Sequence, residues 1–289
     1  MRRLRDSALG VAALALLALA WEGYKVLGPD EGWAVGGTRV LPRTTDLAMP
    51  HVWEMASRLA DPLTALPGAP PLWLAVGQAC VFSLGIALAG WLLGVVVGVV
   101  LALGMQRFRI AESAVLPLVV LSQTVPLIAL APLVRSWGSR LQIGSLEWAG
   151  WMSVAVIASY LAFFPVAVGA LRGLQSPDAQ HQDLMKALGA GWWTTLVRLR
   201  LPASVPYLLP ALRLAAANAV VGTVVAEVST GLAGGVGRMI LEFANFASSD
   251  PAKPWAPLFG AVLLGLLVAG LVGALGLPLA RFRRAEVAA

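Results

Sequence analysis

Fifteen acids, two histidines and one cysteine are the first groups to consider in this 289-residue chain for moving a proton or holding a metal. They do not converge. His51, His181 and Cys80 have none of the close spacings of a metal site, and a lone cysteine excludes an internal disulfide. No nucleophile, base and orienting group cluster as an enzyme requires, and the phosphate-cradling pattern G-x-x-x-x-G-K-[ST] is absent. The polar residues that stand out lie inside apolar runs: Gln123 and Thr124 beside Pro126, then Arg213, Asn218 and Glu227. Polar groups in hydrocarbon are costly, so each needs a partner or a place on a pathway. Glu227 reads either as a gate or docking residue or as an interfacial carboxylate reaching water. Gln123 and Asn218 either line a path or bond across helices. Arg213 is expected to snorkel to the cytoplasmic interface.

The elements that must position these residues follow from composition. The chain is 58% hydrophobic and 12% charged, with a mean hydropathy of +0.79, whereas soluble domains are about half apolar and a quarter charged. A polytopic membrane protein is the consequence. Crossing hydrocarbon takes roughly 20 apolar residues, and six stretches qualify or come close. They are Ser7 to Trp21 (reaching Leu27 if Glu22 and Lys25 sit at the interface), Leu72 to Gly104, Ser113 to Val134, Trp148 to Leu171, Ala203 to Ala226 and Trp255 to Ala280.

Alternating these spans from a cytoplasmic N-terminus puts thirteen Lys/Arg inside and eight outside, so both termini are expected in the cytoplasm. The formal charge of +6 thus reads as topology rather than a nucleic-acid surface. Basic residues, an apolar stretch and Ala18-Leu19-Ala20 resemble a cleavable signal, but an uncleaved first helix is preferred because further spans follow. His51 to Leu59 is expected to form a short amphipathic helix in the external segment. Gly90, Gly94 and Gly98 repeat every four residues and smooth one helix face for close packing, and Gly270, Gly273 and Gly276 read the same way. Pro117, Pro126, Pro132 and Pro165 each remove a backbone donor and favour a kink. Gln123, Thr124 and Pro126 therefore form a candidate segment of a translocation path.

The longest inside loop, Arg172 to Pro206, has a pattern of its own. Asp183 opens a short helical pattern with Leu184, Ala187 and Leu188 on one side. Gly189 and Gly191 can supply the left-handed conformation that ends a helix. Trp192, Trp193, Leu196 and Val197 form a second apolar face, which Pro202 ends. Two short helices joined at a glycine hinge make a rigid knob able to fit a groove in a soluble partner.

Asp183-Leu184-Met185, Gly189 six positions on, and Leu201-Pro202 with its proline thirteen further resemble the EAA loop of binding-protein-dependent ABC importer permeases. The glycine and Leu-Pro spacing match; the acid is shortened from Glu and the two alanines are enlarged. The similarity covers about Leu41 to Arg281. Leu201 to Ile240 resembles the nitrate/sulfonate/taurine-type branch, and Ser122 to Leu133 the permeases for pyrimidine precursors of thiamine and for riboflavin.

The resemblance implies an all-α membrane protein with about six transmembrane helices in the type I importer permease (MetI-like) fold. Residues 1–71 would form an N-terminal helix plus external segment, and 72–284 a permease core with its coupling loop at about 173–206. Asp183, Leu184, Met185, Ala187, Leu188, Gly189, Trp192, Leu201 and Pro202 would contact the ATPase. Gln123, Thr124, Pro126, Asn218 and Glu227 are the pathway candidates. No cofactor is expected on this chain; ATP and Mg would sit on the ATPase subunits. The other implied partners are an extracytoplasmic binding protein, a second permease copy and membrane lipid, with no nucleic acid, in a bacterial inner membrane. Cargo would be a small organic anion or a pyrimidine- or riboflavin-type vitamin precursor. The alternative is a secondary transporter with no ATPase, which would favour buried ionisable residues and an internal repeat.

Overall fold

A computed structural model describes residues 2–36, 38–143 and 146–275. It is built almost entirely of helix: α1 (Arg2–Leu27), α2 (Val52–Ser57), α3 (Leu72–Arg107), α4 (Arg109–Ser122), α5 (Leu127–Gly138), α6 (Gly150–Gln175), α7 (Ala179–Ala187), α8 (Trp192–Thr195), α9 (Leu201–Thr230), α10 (Val236–Ala244) and α11 (Trp255–Leu275). A π-helical turn, Leu196–Arg200, joins α8 to α9. Two small antiparallel ribbons, Ala34–Val35 with Thr38–Arg39 and Gln142–Ile143 with Leu146–Glu147, are the strands described. Gly276 and the basic residues Arg281, Arg283 and Arg284 lie outside the described residues, as does the end of the last expected span.

The chain divides into two compact units, residues 2–78 with 239–260 and residues 79–238 with 261–275. In the first, Lys25 is buried and its Nζ donates to Asp46 Oδ1 (2.6 Å), Met49 O (2.6 Å) and Thr44 O (3.3 Å). That hydrogen bond from Lys25 holds the Asp46 carboxyl below the ordinary carboxylate range. Glu22 accepts from the Val52 N–H at 2.6 Å and pairs with His51 Nδ1 at 2.7 Å. The expected helix in His51 to Leu59 forms as α2, with Met55 buried, Trp53 exposed and Glu54 accepting from the His51 N–H.

In the second unit the core is α6, sandwiched between α3 and α9. Its small residues Ala155, Ala158, Ser159 and Ala162 let neighbouring backbones come close. A Cβ added at Gly90 would meet Ala158 Cβ at 2.5 Å, at Gly94 Ala162 Cβ at 2.7 Å, and at Gly98 the Phe163 carbonyl and Val166 Cβ at 2.8 Å. The glycine repeat of α3 is thus a packing seam against α6. On the opposite side Gly169 and Gly173 admit Ala211 and Ser204 of α9. The second glycine repeat does not pack in this way: nothing lies within 4 Å of a Cβ at Gly270 or Gly273.

Among the described residues, four helices are long and apolar enough to cross a bilayer: α3, α6, the continuous rod Trp192–Thr230, and α11. The bent pair α4–α5 makes a fifth if counted as one span. The first and third expected spans differ from a single long apolar helix. Ser7 to Trp21 is helical within α1 but falls outside this set. Its uncharged stretch measures about 22 Å at ~1.5 Å per residue, less than the ~30 Å of hydrocarbon. Glu22 and Lys25 near its end bond to the loop that follows, and the whole 26-residue helix measures about 39 Å at ~1.5 Å per residue, enough to cross. The third span, Ser113 to Val134, is not one straight helix. It bends by 102° between α4 and α5. Pro126 has no N–H to continue α4, and it drives the preceding Val125 away from helical geometry. Tight turn bonds from Gln123, Thr124 and Val125 to the carbonyls three residues back close off α4 instead. The helices continue through Pro117, Pro132 and Pro165, so of the four prolines only Pro126 separates two of them.

Candidate coupling elbow and pathway residues

The elbow between α6 and α9 begins four residues before Asp183, with Asp178 as N-cap of α7. Asp183 therefore lies within the helix rather than opening it. It is exposed and pairs with Lys186 at 2.8 Å, a surface contact of little energetic weight that leaves the carboxylate available to a partner. Helix α7 ends on Gly189 at φ +68°. The Ala190 N–H returns to Met185 O and the Gly189 N–H to Lys186 O, both at 2.9 Å. That double closure is the Schellman motif, and a residue with a Cβ is strained at its left-handed position. Gly191, at φ −69°, is instead the N-cap of α8; only one of the two glycines supplies the left-handed turn.

Pro202 does not end the second helix. The chain runs from Trp192 to Thr230 without a break because the π-turn shifts the hydrogen-bond register, the Leu201 N–H reaching back five residues to Leu196 O. The wider turn accommodates a proline ring that would clash with the carbonyl four residues earlier in a regular α-helix. The consequence is mechanical. The second half of the elbow, from Trp192, and α9 form one continuous rod with no hinge at Pro202, and α7 joins it through the turn at Gly189.

This rod is anchored on one side and bare on the other. Trp192 Nε1 donates to Gln106 Oε1 at 3.2 Å, the Arg107 guanidinium lies 5.4 Å from the Trp192 ring, and Leu196 is buried with Met105, Ala170, Leu171 and Leu174. Arg200 reaches across to Gln182 Oε1 at 3.3 Å, linking the π-turn to α7. Leu184, Leu188, Trp193, Val197 and Leu201 are exposed, Leu188 at 72% and Trp193 at 71%.

The polar residues of the apolar runs fall in four places. Gln123 and Thr124 sit at the α4–α5 bend before Pro126. The Thr124 hydroxyl donates to Leu121 O at 2.8 Å, and Gln123 Nε2 to Ser122 Oγ at 3.1 Å. The Tyr160 hydroxyl on α6 donates to the Ser122 carbonyl, fixing the bend to the core. Asn218 on α9 donates to the Leu161 carbonyl of α6 at 3.2 Å. Arg213 Nη2 donates to Gly273 O of α11 at 3.1 Å.

Glu227 is 0% exposed, so it is not an interfacial carboxylate reaching water. Its Oε1 accepts from Ser83 Oγ of α3 at 2.7 Å, and its Oε2 from the Gly237 N–H at the start of α10 at 2.8 Å. Ser83 Oγ in turn accepts from the Val236 N–H at 2.9 Å. One carboxylate thus ties α3, α9 and the first turn of α10 together, occupying a helix N-terminus where negative charge is favoured. Gly231, at φ +66°, caps α9 and turns the chain back toward it. Sequence reasoning missed Ser83, Gly235 and Gly237 as partners, although the glycine-rich run after Thr230 was a visible signal. Gly235→Ala would put a Cβ 2.1 Å from Glu227 Oε1. The expected cost is about 3 kcal/mol, from overpacking and a displaced carboxylate. Thermal unfolding of the detergent-purified protein measures it, and an unchanged midpoint would contradict the clamp.

These features define a polytopic helical membrane protein with a rigid elbow exposing apolar residues beyond its bundle. Residues 94–281 match the family described as the binding-protein-dependent transport system inner membrane component. The chain belongs to that family, the non-catalytic permease subunits of ABC transporters. It is 32% identical over 229 residues to the formylaminopyrimidine transport permease protein ThiX of Halalkalibacterium halodurans, covering 75% of this chain and 85% of that one. It is 27% identical to the putative aliphatic sulfonates transport permease protein SsuC of Bacillus subtilis, covering 65% and 61%. The riboflavin transport system permease protein RibX of Chloroflexus aurantiacus is 27% identical, with 44% of each chain covered.

Proposed function

We propose that this permease forms the membrane path of an ATP-driven importer in a bacterial inner membrane and receives motion through the elbow Asp183–Pro202. An ABC ATPase would seat on Leu184, Leu188, Trp193 and Leu201 around Asp183, with ATP and Mg held by the ATPase. A binding protein would deliver cargo from the opposite side, and two permease copies would enclose the path. Both termini and the elbow lie in the cytoplasm in this reading, which takes α1 and the bent pair α4–α5 as crossings alongside the four long helices, in line with the bias of Lys and Arg. The single observation that carries it is the continuity from elbow to α9. A push on a rod transmits into the bundle, where a push on a hinged loop would dissipate. Secondary transport gains no support: it needs an acid that water can titrate, and Glu227 is enclosed by protein donors.

The α4–α5 bend is the proposed stretch of the path, because its Gln123 and Thr124 are polar and incompletely covered beside a broken backbone. For cargo, a relative of which 85% is covered is named for formylaminopyrimidine and another for riboflavin. A small nitrogen heterocycle of the vitamin-precursor type is therefore favoured over a sulfonate. The test is to purify the complex with its ATPase and binding protein and identify the ligand carried by the latter. Cargo-loaded binding protein should stimulate ATP hydrolysis, and Gln123→Leu with Thr124→Val should impair uptake while leaving the ATPase bound. Solute movement by the purified permease without any ATPase would refute the reading.

A further inference from the structure

Helices α3, α9 and α11 enclose a groove of about 330 Å³ whose lining is almost wholly apolar. Leu88 and Trp91 of α3, Ala216 and Val220 of α9, and Val268 and Val272 of α11 form its walls. The polar edge of Trp91 is turned away, its Nε1 donating to Leu212 O at 3.2 Å. Arg213 stands at one end. It precedes Ala216 and Val220 on the same stripe of α9, at spacings of three and seven residues. Its bond to Gly273 O, adjoining Val272, closes that end.

The guanidinium is incompletely satisfied. Its Nε is buried and has no hydrogen-bond partner, and among the described residues no carboxylate pairs with it. Along α9, Arg213 lies about 26 Å from Thr230 at ~1.5 Å per residue. That is close to the ~30 Å thickness of bilayer hydrocarbon. A cation at the edge of the hydrocarbon, heading an apolar groove, lacks a counter-charge that lipid headgroups supply. We propose that this groove holds an acyl chain of an anionic phospholipid whose phosphate pairs with Arg213. The inference requires only that the chain is embedded in a membrane, and it is independent of the transport direction and cargo proposed above.

Trp91 provides the probe, because bromine on an acyl chain quenches an indole it touches. The full chain is reconstituted into vesicles of brominated phosphatidylglycerol or brominated phosphatidylcholine, and subtracting the Trp91→Phe variant isolates the Trp91 emission. Binding should favour phosphatidylglycerol by about fivefold, the effect expected of one Arg near an anionic lipid surface. Arg213→Gln should abolish the preference and Arg213→Lys should keep most of it. Equal quenching by both lipids, or a preference that survives Arg213→Gln, would overturn the proposal. So would the absence of quenching by either lipid, which would mean that protein, such as a second permease copy, covers the groove.

Discussion

Glutamate in place of both Leu188 and Trp193 leaves the permease folded and strips the ATPase from it. The two side chains are exposed and contribute little to the bundle, so melting temperature and membrane yield should match those of the parent protein. In the complex each would bury a large apolar surface, worth roughly 2 kcal/mol apiece. Losing both corresponds to about a thousandfold in affinity, since each ~1.4 kcal/mol is tenfold. Co-purification of tagged permease with its ATPase reads the effect directly. Gly189→Val should produce a related defect by another route. Nothing crowds a Cβ there, but φ +68° is strained for a β-branched residue, so the Schellman closure loosens and the elbow loses its fixed shape. An intact complex after the double glutamate substitution would mean that the ATPase binds elsewhere.

Gly94→Leu has the largest expected effect on folding. A Cβ at that position already stands 2.7 Å from Ala162 Cβ and 3.0 Å from the Ser159 carbonyl. The second of these is backbone and cannot rotate aside. The contact lies mid-seam, between Gly90 and Gly98, so pushing α3 from α6 opens several turns of packing at once. Overpacking alone costs about 1–3 kcal/mol, and the lost seam adds to it, against total stabilities of roughly 5–15 kcal/mol. Folded protein should nearly disappear from the monodisperse peak in detergent size-exclusion chromatography. Gly85→Leu on the same helix is the control, because nothing lies within 4 Å of a Cβ there, and it should behave like the parent protein.

Sequence reading reached the features with a local signature. Hydrophobic length marked α3, α6, α9 and α11, because a bilayer demands a minimum run of apolar residues. The four-residue glycine spacing marked the α3–α6 seam, and the glycine six positions after Asp183 marked the left-handed closure of α7. Features that depend on distant partners were not legible. Ser83 and Glu227 are 144 residues apart and nothing in either neighbourhood announces the pairing. Pro202 read as a helix terminator because the local pattern does not encode the five-residue π-turn that carries the helix through it. Pro126 was legible as a kink but not as a turn of 102°, since the same residue type at Pro117, Pro132 and Pro165 leaves its helix continuous. One of the two readings of Glu227, a carboxylate reaching water, failed for a similar reason: proximity to a span end predicts water, and the glycine-rich turn back to α10 supplies protein donors instead.

A photoreactive side chain at position 188, placed in cells that express the partner subunits, tests the central idea most directly. Irradiation should give one dominant adduct, and its mass should equal permease plus ATPase. Capture of the external binding protein at that position, or labelling of the probe from outside intact cells, would contradict the coupling role of the elbow.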